Sequence, residues 1–332
     1  MKKLITVLAV ALVVALALVA LAGCEGESSS SAEEPITIGI IQIVEHPALD
    51  AAREGFIAGM ADAGFVDGEN VIFDYQNAQG DHNTLSTIAD RFVSREVDLV
   101  LAVATPSAQA IAMRTDSIPV IGTAITSYTR AELVDSDEVP GGNITGTTDM
   151  NPVKDQILLG LDLVPNAQTV GLIYSSQEAN SVYQIEIAKN ALAELGLDYE
   201  DRTVENTNEV QQAMASLVRT ADFIFIPTDN VIASAMAIVA DVANTAGVPT
   251  ICGEINMVKS GGFATMGIDY FDLGVKAASM AVEVLEGADP ATMPIQTVPG
   301  DEITINEEVV EILGISIPER FQGYVQALEP PE

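Results

Sequence analysis

Cysteine and histidine are scarce in this chain, with two of each in 332 residues. A closed structural zinc site needs four nitrogen or sulfur ligands close together, and a disulfide framework needs several paired cysteines, so neither organises this protein. Tryptophan is absent and aromatics make up 5% of the residues. The core must therefore be built from Val, Ile, Leu and Ala. Basic residues number 14 against 48 acidic ones, a formal charge of −34. Neutralising a phosphate backbone requires clustered Lys and Arg, which excludes nucleic acid as a partner. Catalytic signatures are missing too: there is no G-x-S-x-G elbow, no G-x-x-x-x-G-K-[ST] loop and no H-E-x-x-H. His46 could act as a base, but no Ser or Cys nucleophile stands at a recognised spacing from it. Cys252 closes an apolar strand and reads as a buried, inert thiol. These absences leave no catalytic residue, no metal and no cofactor to assign.

Apolar material is plentiful at 48%, and the length suits two domains. At the N-terminus Lys2 and Lys3 precede an uncharged apolar run over 4–22, then Gly23 and Cys24. A basic start, an apolar middle and small residues at the end make a secretory signal over 1–23. Leu21-Ala22-Gly23-Cys24 is similar to the bacterial lipobox, in which the Cys is lipidated and begins the mature chain. The run could also span a bilayer uncleaved. Either reading puts the globular part outside the cell, attached to the membrane. Residues 24–35, rich in Ser and Glu, read as a flexible tether.

Short apolar β-rich runs then alternate with amphipathic helical patterns. Strands are expected over 36–43, 71–75, 98–104, 119–125 and 143–147, and again over 169–174, 199–204, 222–226, 248–252 and 262–267. Leu49, Ala52, Phe56 and Met60 recur at helical spacing, and long helices are expected over 181–195 and 231–246. Runs as continuously apolar as DLVLAVA suit strands buried on both faces of a parallel sheet. The fold class is α/β, with two doubly wound parallel-sheet lobes. A helix over 271–285 and a strand over 302–306 follow the second sheet and are expected to cross back, so that the lobes share a multi-segment hinge.

In such sheets ligands bind beyond the carboxyl ends of the strands, at helix N-termini. Four loops qualify, in two matched pairs: 42–47 with 175–181, and 104–107 with 227–230. The last pair is the more telling, because DLVLAVATPSAQAIAM and DFIFIPTDNVIASAM follow one plan. If the lobes face each other, these loops bring Gln42, Glu45, His46, Thr105, Ser107, Asn180, Ser181, Thr228, Asp229 and Asn230 to one cleft. Thr105 reads as an N-cap with Pro106 at the first helical position, and the hydroxyls of Thr105 and Ser107 make a carboxylate site. Asp229 and Asp269 could hold an ammonium group, and Asn180 and Asn230 could fix orientation. Each of these residue types also serves as an ordinary helix cap.

The segments IGIIQIVEHPALDAAREGF (38–56), NAQGD (77–81), GNITGTTD (142–149), EANS (178–181), PTDN (227–230) and GIDYFDLG (267–274), with the DLVLAVATPSAQA run, carry a resemblance. They resemble the extracytoplasmic substrate-binding lipoproteins of ABC transporters, in the branch linked to tryptophan and other aromatic amino acids. The resemblance implies the type I periplasmic-binding-protein fold, a monomer that binds an amino acid by hinge closure, and a membrane permease as partner. Lobe 1 would comprise 36–149 plus 269–298, and lobe 2 would comprise 150–268 plus 299–332. The ligand's polar end would meet Thr105, Ser107, Asn180, Asp229, Asn230 and Asp269. Related sequences often read T-D-P where this chain has Thr126-Ser127-Tyr128, in a loop facing the cleft. Tyr75, Tyr128 and Phe271 are candidates for the apolar pocket. Another small polar solute, such as a sugar or nucleoside, or a sensor docking to a membrane receptor, are the alternatives.

Overall fold

The computed structural model describes residues 35–330. The secretory segment 1–23, the lipidation expected at Cys24 and the tether as far as residue 34 lie outside the described residues. The chain runs β1 (Ile36–Gln42), α1 (Pro47–Asp62), β2 (Val71–Asn77), α2 (His82–Ser94), β3 (Leu99–Val103), α3 (Thr105–Ala112), β4 (Val120–Ile125) and β5 (Ile144–Thr148). These strands form one all-parallel sheet in the order β2-β1-β3-β4-β5.

The second series repeats the plan. It comprises α4 (Val153–Leu163), β6 (Thr169–Ser175), α5 (Ala179–Leu195), β7 (Asp198–Val204), α6 (Thr207–Leu217), β8 (Phe223–Ile226), α7 (Asn230–Ser234) and α8 (Met236–Ala246). It ends with β9 (Thr250–Cys252), α9 (Ile255–Lys259) and β10 (Ala264–Gly267). The helix expected over 231–246 is thus two helices. They break at Ala235, whose φ of −108° and ψ of 15° leave the helical range. After α10 (Tyr270–Leu285) come β11 (Glu302–Asn306), α11 (Glu307–Leu313) and β12 (Val325–Gln326). The second sheet reads β12-β11-β10-β9-β8-β6-β7, parallel except for β11 against β10. Within it β7-β6-β8-β9-β10 repeats the winding of the first sheet, so each lobe reverses strand order between its first and third strands.

Strand β8 shows how the sequence builds a sheet covered on both sides. In Phe-Ile-Phe-Ile, Phe223 and Phe225 join one apolar cluster with Val170, Leu172 and Ile251, while Ile224 and Ile226 join another with Ile173 and Val239. Successive side chains point to opposite faces, and an all-apolar run serves two cores.

Helix α10 follows a strand of the second sheet but packs on α1 of the first lobe. The close approach depends on glycines: a Cβ on Gly274 would lie 2.0 Å from the Ala52 carbonyl oxygen, and one on Gly55 would lie 2.0 Å from that of Phe271. Gln296 stays with the first sheet by bonding to Gly146 and Thr148, before β11 returns to the second. Three strands of chain therefore connect the lobes.

Candidate functional site

The two strand-order reversals, β1/β3 and β6/β8, turn their carboxyl ends toward one another. This is where open α/β sheets bind ligands. The pocket between them is lined by His46, Ala124 and Asp149 from the first-sheet side, and by Asn180, Asp229 and Glu254 from the second, with Leu49, Met257 and Tyr270 among the rest. The lobes close it to about 10 Å³, room for about one water. Ligand can enter only when the lobes part.

Two buried contacts hold the lobes across this gap. The first is the His46 Nε2 to Asn230 Oδ1 pair at 3.1 Å. Asn230 Nδ2 donates to Glu178 Oε2 at 2.6 Å, so its oxygen must face His46 and the imidazole must donate from Nε2. Burial keeps His46 below its usual range and hence neutral. Its Nδ1 is then a bare acceptor, buried and without a partner among the described residues. The second contact is between hydroxyls: Thr126 Oγ1 donates to Asp149 Oδ1 at 3.0 Å and receives Thr228 Oγ1 at 3.3 Å. Gln184 Nε2, 2.6 Å from Thr228 Oγ1, braces it from α5. The rim pair Arg130–Glu186 at 2.8 Å is half-exposed on both sides and contributes ~0.2–1 kcal/mol at most.

The floor of the site is acidic. Asp149 is buried and accepts from the Tyr270 hydroxyl at 2.5 Å, and burial pushes its carboxyl upward. Asp229 caps α7 through the Ile232 N–H and also accepts from the Ser175 N–H. Glu254 caps α9 through the N–H groups of Asn256 and Met257. Burial raises Glu254 to about 7, against the pull of those two donors. Glu178, just behind, is raised by burial and by the charge of Asp229, which is itself raised by burial. No Lys or Arg lines the pocket among the described residues. Such a site favours a cationic group that lets the carboxylates ionise.

The start of α3 carries two further hydroxyls. Thr105 is not the cap: that place falls to Ala104, at φ 76° and ψ 156°, and Thr105 and Pro106 are the first two helical residues. A non-glycine residue in this region is strained, as is found where a site dictates the backbone. Thr105 Oγ1 and Ser107 Oγ are buried without partners, as is Asn180 Oδ1. Unpaired buried polar atoms are rare; Asn180 lines the acidic pocket, whereas Thr105 and Ser107 are not brought to its lining.

Several expected site residues are not brought to the pocket. Gln42 is tied to Val44 O and Asp50 within the first lobe. Glu45 is exposed and accepts from Tyr75 at 3.2 Å. Asp269 is an exposed N-cap of α10, spent on the N–H groups of Phe271 and Asp272. Ser181 lies buried behind the pocket beside Asn180. The apolar candidates fare no better. Tyr128 is wholly buried in the first lobe's core with its hydroxyl on Thr147 O, Phe271 is 43% exposed, and Tyr75 lies under Arg53. Sequence reasoning missed Asp149, Glu254 and Tyr270 as pocket residues. The signal for Glu254 was available: an acid two residues beyond an apolar strand, at the start of a short helix.

Two doubly wound lobes on a three-segment hinge, closing on a small pocket that takes Asp149 from one lobe and Asp229 and Glu254 from the other, define a solute-binding protein that holds rather than converts its ligand. The chain belongs to the family described as ABC transporter substrate binding protein, whose family model matches residues 37–327. Its members are extracytoplasmic binding proteins and not enzymes. A tyrosine-binding protein of Clostridioides difficile is 41% identical over 302 residues, 88% of each chain. The crystal structure of an ABC domain in complex with L-Trp from Streptococcus pneumonia is 37% identical, covers 89% of this chain and 100% of its own, and superposes with a TM-score of 0.85. A ligand-free, open structure of a substrate-binding protein with adhesive properties from Clostridium difficile is 38% identical over 89% of this chain and 99% of its own, but reaches only 0.68.

Proposed function

We propose that this protein captures an aromatic amino acid between its lobes and presents it to an ABC permease. The observation that carries this reading is the buried Asp149–Asp229–Glu254 group around one inter-lobe pocket, together with the buried, partnerless hydroxyls of Thr105 and Ser107 at the start of α3. The hydroxyls receive the ligand's carboxylate and the acids its ammonium group. The tyrosine-binding relative and the L-Trp complex support an aromatic side chain. Burying ~150–250 Å² of ring at ~25 cal/mol per Å² yields about 4–6 kcal/mol before ordering costs. A hydrogen bond nets only ~1 kcal/mol, so the ring sets affinity and the polar groups set orientation. The lobes, 36–149 plus 269–298 and 150–268 plus 299–332, turn about the hinge, and the His46–Asn230 contact forms as they meet. Both halves of the site come from one chain, which supports action as a monomer. The basic-apolar-small pattern ending in Cys24 supports a cleaved signal and a lipid anchor.

Isothermal calorimetry with tyrosine, phenylalanine, tryptophan, ribose and adenosine tests the reading. Binding of at least one aromatic amino acid, and of neither ribose nor adenosine, is expected. Heat from the sugar or nucleoside alone would overturn it.

A further inference from the structure

The three chain crossings between the lobes meet beside the β10–β11 pair. Asn151 lies on the first crossing, Ile268 and Asp269 on the second, and Gly300 on the third, which leads into Glu302. A Cβ on Gly300 would stand 2.9 Å from Ile268 Cγ1 and 4.0 Å from Asn151 Oδ1, so the crossings touch. In the antiparallel pairing Thr265 is opposite Thr304, and Gly267 is opposite Glu302. Alternate strand residues share a face, so these four line one small pocket together with Asp269. Its volume is about 10 Å³, the space of about one water or one bare ion. No residue is shared between its lining and that of the pocket between the lobes.

The polar side-chain groups on this second pocket are all oxygens. Thr304 is buried, and its Oγ1 has no partner among the described residues. Asn151 Nδ2 donates to Gly253 O at 2.9 Å, which fixes the carboxamide and leaves its Oδ1 buried and partnerless as well. That oxygen lies 3.3 Å, and Thr265 Oγ1 3.5 Å, from where a Cβ on Gly267 would stand. A side chain there would screen both oxygens, and glycine leaves them open. Asp269 meets the N–H groups of Phe271 and Asp272 through Oδ1 alone, which leaves Oδ2 available. No Lys or Arg lines the pocket among the described residues. A water would satisfy the Thr304 hydroxyl but leave both carboxylates uncompensated.

We infer that this pocket binds a hard divalent cation of the calcium class, through the Asp269 and Glu302 carboxylates and the Thr304 hydroxyl, with the Asn151 carboxamide oxygen behind them. Two carboxylates match a double positive charge. Calcium accepts about 6–8 oxygens in flexible geometry, with water completing the shell, whereas magnesium demands a near-ideal octahedron and dehydrates reluctantly. Without His or Cys the donor set does not suit zinc. An ion held here joins the second crossing to the third, on the hinge itself.

Calorimetry with calcium chloride on the chelator-treated, amino-acid-free protein tests this, in sodium chloride that screens the chain's formal charge of −34. Wild type should bind one calcium ion with a Kd of about 0.1–1 mM, and magnesium about tenfold more weakly. Saturating calcium should raise the Tm by about 2–4 °C. Glu302→Gln, at an exposed position, and Thr304→Val, which removes only the partnerless hydroxyl, should each weaken calcium about tenfold. Glu283→Gln, an exposed acid further along α10, should leave calcium binding unchanged. The melting of each calcium-free variant verifies folding. No saturable heat up to about 10 mM calcium, an equal response to magnesium, or wild-type affinity in Glu302→Gln and Thr304→Val alike would each overturn the inference. So would an equal loss in Glu283→Gln, which marks diffuse binding to an acidic surface.

Discussion

Glu254 gives the sharpest test of the site's electrostatics. Buried at the start of α9, its carboxyl is raised from 4.5 to about 7. Each pKa unit corresponds to ~1.4 kcal/mol, so carrying this charge in the ligand-free closed pocket costs the fold about 3 kcal/mol. The native chain keeps the proton longer than the unfolded chain does. The resulting stabilisation is complete below pH 4.5 and is lost as pH rises to about 7. Asp149, Glu178 and Asp229 are raised as well and act in the same direction, while His46 is lowered and acts in the opposite one. To first order these groups cancel when wild type is compared with Glu254→Gln. Urea unfolding of both proteins at pH 5, 6, 7 and 8, without ligand, should show the stability of wild type relative to the variant falling by about 2–3 kcal/mol across that range. Parallel profiles would refute the assignment of a costly charge at Glu254. An ammonium group reverses the preference by pairing with the ionised carboxylate. Affinity for an aromatic amino acid should therefore rise between pH 5 and 8 in wild type, and do so less in the variant.

Two further substitutions separate binding from folding. Thr105→Val removes a buried hydroxyl that has no partner, so thermal unfolding of the free protein should be unchanged or shifted upward while calorimetry shows ligand affinity about tenfold weaker. A marked loss of stability would mean the hydroxyl is already engaged within the fold. Gly274→Ala would place a methyl carbon 2.0 Å from the Ala52 carbonyl oxygen where α10 crosses α1. Backbone must move, and a loss of about 2–3 kcal/mol in urea unfolding is expected; a change below about 0.5 kcal/mol would show the helices are not packed this closely.

Much of this architecture was legible along the chain. Phe223–Ile226 could only be a strand buried on both faces, and the similarity of 98–113 to 222–236 announced that one winding plan is used twice. The loops holding His46, Thr105, Asn180 and Asp229 could be placed because strand ends and helix starts are local signals. Local signals also misled. Thr105-Pro106 looks like a cap followed by a first helical residue, yet the chain turns one residue earlier, through a strained Ala104. Val231–Ala246 reads as one helix because Ala235 is a good helix former, yet the chain leaves the helical range there.

What the sequence by itself determined is the set of elements and their winding, since hydrophobic period and turn chemistry act over a few residues. Only the tertiary structure decided which polar residues share the pocket. Asp149, Glu254 and Tyr270 are distant in sequence and meet because the chain crosses between lobes three times. Asp269 stands one residue before Tyr270 and caps a helix in solvent. Tyr128 went to the core and Phe271 to the surface for the same reason. A side chain's direction is fixed by its place on an element, but what it faces depends on how two lobes are brought together, and no stretch of sequence encodes that locally.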